Sequence, residues 1–310
     1  MSKHIDLAII GAGIGGVSSA VYAARSGLNC MLFEGNAIGG QLLFMENIDN
    51  YIGLKMGTKG RDLAKTLEET VKGLKINIVN ESISKIDISD RLVQLSLDDS
   101  LYVAKGVIAA TGASFKKLGV EGEAQFLGRG VSYCAVCDGF FFKGKDVCVV
   151  GGGNTAVEEA LYLSDIARKV YLVHRRDELR AMGYLQKELF EKKNIEVIFD
   201  SIIHKIDGGE FLNRLSIENT KTGRLSSLEV NGLFVAVGVR PNTDIFKDII
   251  SMDDNGFILT DEHMKSSYDC IWACGDCRKR PLKQLITAAA EGAVAALSAY
   301  KYLKGYYISS

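Results

Sequence analysis

Near its start the chain carries a largely apolar run, IDLAII at 5–10, interrupted only by Asp6, which predicts a buried strand. The pattern then changes. Gly11-Ala12-Gly13-Ile14-Gly15-Gly16 leads into small residues that predict a helix from about Val17 to Ser26, and NCMLFE at 29–34 predicts a second strand ending on Glu34. Residues 62–73 predict a helix, and 76–80, 83–88, 92–97 and 101–110 predict strands. At 146–151 (DVCVVG) the opening pattern starts again. It continues through Gly151-Gly152-Gly153-Asn154-Thr155-Ala156, a helix to about Ser164 and a strand at 169–174 (KVYLVH). A strand at 233–238, another at 270–274 and a helix from about 282 to 303 follow.

Two strand–glycine–helix–strand units about 140 residues apart predict two dinucleotide sites, one nested inside the other. The expected fold is α/β, with two nested Rossmann-like dinucleotide-binding domains. The first is discontinuous, 1–115 plus 246–310, and 116–245 is inserted into it. No Ser/Pro-rich linker separates them, so the hinges near 115 and 245 must be short.

Composition narrows the function classes. The 310 residues carry 37 Lys+Arg against 38 Asp+Glu, a net charge of −1, which argues against a nucleic-acid partner. The 33 Gly are concentrated in short clusters rather than spread as low complexity. No apolar stretch reaches 18 residues, so no membrane span is expected, and the N-terminal run is too short for a secretion signal. Seven Cys, an odd number, suit a cytoplasmic protein with mostly reduced thiols, in which a disulfide is catalytic or redox-sensing.

Gly11-x-Gly13-x-x-Gly16 lies where a dinucleotide turn needs it. The first glycine makes the tight turn, the second lets the backbone approach a pyrophosphate, and the third lets helix and strand pack closely. The helix N-terminus then faces the phosphate charge. Glu34 suits both ribose hydroxyls and repels a 2′-phosphate, so this site takes FAD or NAD rather than NADP. The tail selects FAD. Trp272-Ala273-Cys274-Gly275-Asp276 is a strand ending in Gly-Asp, with Asp276 placed for the ribityl chain. The helix starting near Gln284 aims its N–H groups at the electron-rich edge of the flavin.

Gly151-x-Gly153-x-x-Ala156 is the second turn. Its second strand ends not on an acid but on His174-Arg175-Arg176, with Arg180 four residues beyond Arg176. Guanidinium groups there suit a 2′-phosphate, so this site prefers NADPH over NADH. The alternative is a solvated basic patch.

Cys134-Ala135-Val136-Cys137 is a CxxC just ahead of the second unit, able to close a small disulfide ring. Beside a flavin and NADPH, dithiol–disulfide exchange is its natural use, and the adjacent Asp138 suits general acid–base work on the thiols. Zinc is a rival, but a structural site needs four ligands and the 4 His are not at finger spacing. No metal is expected. A merely structural pair is the other alternative. Cys274-Gly275-Asp276-Cys277 is a second CxxC, read as two buried thiols at a strand–helix corner, with a second redox pair as the alternative. Cys30 and Cys148 read as core thiols, and Cys270 has no assignment.

The runs CAVCDGFFFKGKDVCVVGGGNTAVEEALYL, VHRRDELRA and ACGDCRKRPLKQLITAAAEGAVAA closely resemble the low-molecular-weight (bacterial-type) thioredoxin reductase family, and the resemblance covers essentially the whole chain. It implies a homodimer with FAD in the discontinuous domain and NADPH in the inserted one. By position, Gly11, Gly13, Gly16, Glu34, Gly40, Gln41, Asn50, Asp276 and the segment Lys283, Gln284, Leu285, Ile286 match the family's FAD contacts. Gly153, Asn154, Thr155, Ala156, His174, Arg175, Arg176 and Arg180 match its NADPH contacts. Cys137 matches the cysteine nearest the flavin, Cys134 the one that exchanges with thioredoxin, and Asp138 the proton donor. Electrons are then expected to pass from NADPH to FAD, to the Cys134–Cys137 disulfide, to thioredoxin. Both NADPH and the cysteine pair must reach one flavin, so the resemblance also implies rotation about the hinges near 115 and 245.

Three alternatives stand beside this expectation: another thioredoxin-like protein as the substrate, ferredoxin in place of NADPH, or a redox sensor without turnover. Family members that use ferredoxin typically lose the second glycine motif and the basic HRRxxxR, and this chain keeps both. It departs from the family at Ile52, where proline is common, and at 114–123, which lacks the usual prolines. The first departure lies beside the implied flavin and bears on access to it.

Overall fold

The computed structural model describes residues 3–45, 47–89 and 91–306. The chain begins with β1 (Lys3–Ile10), α1 (Ile14–Arg25), β2 (Cys30–Phe33), α2 (Gly60–Gly73), β3 (Asn77–Val79), β4 (Lys85–Ser89), β5 (Leu92–Ser96) and β6 (Leu101–Ala109). Next come β7 (Ala113–Phe115), β8 (Val131–Ser132), α3 (Ala135–Asp138), β9 (Asp146–Val150), α4 (Asn154–Ser164), β10 (Lys169–Val173) and α5 (Gly183–Glu191). They are followed by β11 (Ile195–Ile198), β12 (Ser201–Gly208), β13 (Leu212–Asn219), β14 (Leu225–Glu229), β15 (Gly232–Val235) and β16 (Val239–Pro241). The chain closes with β17 (Ile271–Ala273) and α6 (Leu285–Leu303). The described residues up to Ser114 and from Arg240 form one compact unit, and Phe115–Val239 the other. The second crossing precedes the expected position near 245 because Asn242 is tied to the first unit. Its N–H donates to Gly112 O and its Nδ2 to Thr111 O, each at 3.0 Å, and Phe246 is buried in that unit's core.

In the first unit a seven-stranded sheet runs β3-β2-β1-β6-β5-β4, with β17 also paired to β6. β3, β2, β1, β6 and β17 are parallel, while β5 and β4 add antiparallel. β6 serves two partners along one edge: residues 101–104 pair with β5 and 107–109 with β17. Both faces of the sheet are covered, which explains why β1 is apolar without a break from Leu7 to Ile10. Leu7 and Ile9 face α1 and α6, with Val17, Trp272 and Ala295; Ala8 and Ile10 face the opposite core, with Phe33, Val107 and Phe246.

α1 and α6 touch through small residues. A Cβ on Gly292 would lie 2.2 Å from Gly15 O, and Ser19 Oγ donates to Gly292 O at 3.0 Å. α6 begins at Leu285 rather than near 282, because Gln284 and Thr287 form a reciprocal cap at its start.

In the second unit a five-stranded parallel sheet runs β11-β10-β9-β15-β8. α4 and α5 cover one face, with Val157, Leu161 and Leu185 in the core. The antiparallel sheet β12-β13-β14 covers the other, through Ile203, Ile206, Leu215 and Ile217. No element between 175 and 232 was expected from the sequence, and α5 and β11–β14 all lie there.

Gly292→Ala should lower stability by about 1–3 kcal/mol, because the added methyl has no room between α1 and α6. Lys301→Arg, exposed in the last turn of α6, should change it by less than about 0.5 kcal/mol. Urea unfolding of the two variants checks the difference.

Candidate active site

The register Ile10↔Phe33 sets the end of β2 level with the start of the first glycine turn, and Gly11 N–H donates to Phe33 O at 2.8 Å. Glu34 therefore sits against the turn. Its Oε2 accepts from Ala12 N–H at 2.7 Å and its Oε1 from Asn36 N–H at 2.9 Å. Gly40 closes on the same place, 3.6 Å from Gly13 Cα if given a Cβ. Gly13 itself opens on free space, and α1 has neither a side-chain cap nor an acid in its first turn. Its leading N–H groups thus offer an anion site.

The residues expected from the tail gather at the start of α6. Lys283 Nζ donates to Asp276 O at 3.1 Å and lies 3.9 Å from the centre of the Phe257 ring; burial lowers its pKa. Asn50 Nδ2 donates to Gln284 Oε1 at 3.1 Å. Leu285 is half-buried and Ile286 exposed. Gly15 packs against Ala288 O, which sets the first turns of α1 and α6 side by side. Gln41 donates to Ala113 O at 2.6 Å. Asp276 accepts from Arg280, and Glu291 ties this corner together: it accepts from Gly275 N–H at 2.8 Å and Arg278 Nη1 at 2.6 Å. Arg278, Arg280 and Glu291 were not singled out in the sequence, because three charges on a loop and a helix read as a solvated face.

The second turn repeats the geometry with opposite charge. Gly153 opens on free space at the uncapped start of α4. Asn154 Oδ1 accepts from Met182 N–H at 2.9 Å, Thr155 is exposed, and Ala156 is buried against Gly151. Arg180 is drawn in by its own N–H, which donates to Gly152 O at 2.7 Å. The guanidinium groups of Arg175, Arg176 and Arg180 are exposed and pair with no carboxylate among the described residues. His174 is separated from them, 4% exposed with its ring against Gly152. Burial, then the charge of Arg180, lowers its pKa, so the imidazole is neutral at pH 7.

Cys134 and Cys137 form a disulfide around the first turn of α3. Both are half-buried, and Cys137 N–H donates to Cys134 Sγ at 3.2 Å. Ser132 links the pair to Asp138: its Oγ accepts from Cys134 N–H at 3.0 Å and donates to Asp138 Oδ2 at 2.6 Å. Burial raises the Asp138 pKa, against the Ser132 hydrogen bond. Ser132 escaped the sequence reading, since a lone hydroxyl two residues before a cysteine carries no periodic signal. Val136, Phe140 and Phe141 stand exposed around the disulfide.

Cys274 and Cys277 are free, buried thiols. Cys277 donates to Ala109 O and Cys274 O, and Cys274 lies 3.5 Å from Ser19 Oγ. Burial pushes them up to about 12 and about 11 respectively, so both are protonated thiols at neutral pH.

Comparison with known proteins agrees with this geometry. Residues 5–292 match the family model described as pyridine nucleotide-disulphide oxidoreductase. The thioredoxin reductase of Peptoclostridium acidaminophilum is 39% identical over 313 residues, covering 99% of each chain. That of Rickettsia typhi is 40% identical over 300 residues, covering 95% of this chain and 97% of the other. The crystal structure of thioredoxin reductase from Streptococcus pyogenes superposes with a TM-score of 0.94 at 41% identity, covering 98% of this chain and 100% of that one. With two dinucleotide turns and a surface disulfide on a shared architecture, the chain belongs to the pyridine nucleotide-disulphide oxidoreductases, in their thioredoxin reductase family.

Proposed function

We propose that this chain is an NADPH-dependent flavoprotein that reduces the disulfide of oxidised thioredoxin through Cys134 and Cys137. The observation that carries the reading is the Cys134–Cys137 disulfide in the same unit as a dinucleotide turn flanked by three unpaired arginines. FAD fits the first turn, where Gly13 leaves room for a pyrophosphate and Glu34 presents a fixed carboxylate to the ribose. Gly11, Gly16, Gly40, Gln41, Asn50, Gly275, Asp276 and Lys283–Ile286 complete its site. NADPH would be held at the second turn, where Arg175, Arg176 and Arg180 suit a 2′-phosphate. The chemistry supplied by bound FAD is the transfer of a hydride's two electrons from NADPH to a disulfide.

Two electrons and two protons open the Cys134–Cys137 bond to two thiols. The Cys134 thiolate then attacks one sulfur of the partner disulfide; that bond breaks, and the leaving sulfur takes a proton. Cys137 attacks Cys134 Sγ, the second partner thiol leaves, and the intramolecular disulfide returns. Asp138 suits the proton step, because burial keeps its carboxyl protonated to a higher pH than an exposed aspartate and Ser132 fixes its direction.

A protein substrate is supported by the apolar side chains around the disulfide: Val136, Phe140 and Phe141 are 50%, 68% and 43% exposed. A homodimer is supported by α6, where Ile286, Ala290, Val294 and Leu297 make an exposed stripe at helical spacing. No helix among the described residues is long and apolar enough to cross a membrane. The free thiols of Cys30, Cys148, Cys270, Cys274 and Cys277 suit a reducing compartment such as the cytoplasm.

Replacing Arg175 and Arg176 together by Ala should reduce kcat/KM for NADPH by about 10- to 150-fold, the cost of a lost charge-assisted hydrogen bond, and leave NADH little changed. Steady-state kinetics with both nucleotides checks this. Cys137→Ser should keep flavin bleaching by NADPH while thioredoxin turnover drops at least about a thousandfold. In Asp138→Asn the turnover should fall, and the alkaline limb of the pH–rate profile, where the wild-type carboxyl loses its proton, should vanish.

A further inference from the structure

A second carboxyl reaches the backbone between the two cysteines from α4. Glu159 Oε1 accepts from the N–H of Ala135, the residue after Cys134, at 3.4 Å. Glu159 Oε2 is shielded from solvent and has no hydrogen-bond partner among the described residues. The surrounding elements offer no counter-charge. Glu158, its neighbour on α4, is a like charge. Asp138 on α3 is bonded to Ser132. Asp146 of β9 pairs with Arg168, and Lys169 of β10 pairs with Glu196 of β11. Lys187, Glu188 and Glu191 of α5 are exposed. Burial accordingly pushes the Glu159 carboxyl up to about 7. A shielded carboxylate without a cation opposes a second negative charge beside it. Through Ala135, the residue after Cys134, the carboxyl is anchored one residue from the sulfur that becomes such a charge when the disulfide is reduced.

We propose that Glu159 is a positioning residue for thiol exchange: its carboxyl and Cys134 share one negative charge, so the charge state of Glu159 sets how readily Cys134 becomes a thiolate. The inference rests on reading Cys134–Cys137 as the redox pair. The two groups then titrate as a coupled pair rather than singly. With Glu159 charged, the Cys134 proton is held to higher pH; with Glu159 neutral, the thiolate forms at lower pH.

The test is alkylation of Cys134 by iodoacetamide between pH 5 and 10 in FAD-loaded Cys137→Ser protein, with and without Glu159→Gln. Each alkylation forms one thioether and releases iodide, after the thiol proton has gone to solvent. The parent rate should rise in two steps, one of them near pH 7. With Gln, which keeps an oxygen for the Ala135 N–H, the rise should be a single step. The rate at pH 7 should be about three- to tenfold higher, a lower thiol pKa offset in part by weaker nucleophilicity. Glu159→Asp retains the carboxyl and should retain two steps. A merely structural role would alter FAD content and Tm and leave the profile's shape alone. Identical profiles with Glu and Gln overturn the proposal. Failure of NADPH to reduce the wild-type disulfide overturns the redox reading instead, and the Cys137→Ser profiles still judge Glu159.

Discussion

A Cβ on Gly16 would lie 1.8 Å from the carbonyl oxygen of Gly11, and one on Gly151 would lie 2.4 Å from that of Ala236. At both places backbone approaches backbone more closely than a side chain permits, and the rest of each unit is arranged around that approach. At Gly16 it sets the start of α1 over the end of β1, and at Gly151 it sets the end of β9 against the end of β15. The second strand, held parallel in register, then delivers its last residue to the rim of the turn. In the first unit α6 crosses α1 at Gly15 and Gly292, so a second helix start joins the same rim.

What differs between the two rims is charge. Glu34 at one has both carboxylate oxygens held by backbone N–H groups. The other carries Arg175, Arg176 and Arg180, none in an ion pair among the described residues. One scaffold thus presents a fixed anion and a set of available cations at equivalent places. On the proposed reading this distinguishes FAD from NADPH without any change of fold. The disulfide adds a third chemistry to the second unit, and its environment is the reverse of the buried Cys274 and Cys277. Two half-buried cysteines lie close in sequence to exposed Phe140 and Phe141, with Asp138 and Glu159 tied to the neighbouring Ser132 and Ala135.

Much of this was legible in the sequence, for physical reasons. β1 from Leu7 and β9 from Val147 are buried on both faces, so these stretches write themselves as apolar runs, and the glycines mark where a Cβ has no room. β12–β14 were not legible. They form a surface sheet whose outer positions are charged or polar, as in LNRLSIEN, and such short alternations resemble loops. Ser132, Glu159 and Glu291 were missed for another reason. Each depends on which element packs beside it, and no local pattern distinguishes a shielded carboxyl on α4 from its exposed neighbour Glu158. His174 reads with the basic run but is folded beneath the turn, a separation set by the strand's last alternation.

The most direct measurement is a count of thiols after anaerobic addition of one equivalent of NADPH to the FAD-loaded protein. Rapid alkylation and peptide mass analysis would follow. The account predicts labels on Cys134 and Cys137 only, appearing as the flavin spectrum returns to its oxidised form. Labels on Cys274 and Cys277 instead, or an intact Cys134–Cys137 disulfide beside a reduced flavin, would contradict it.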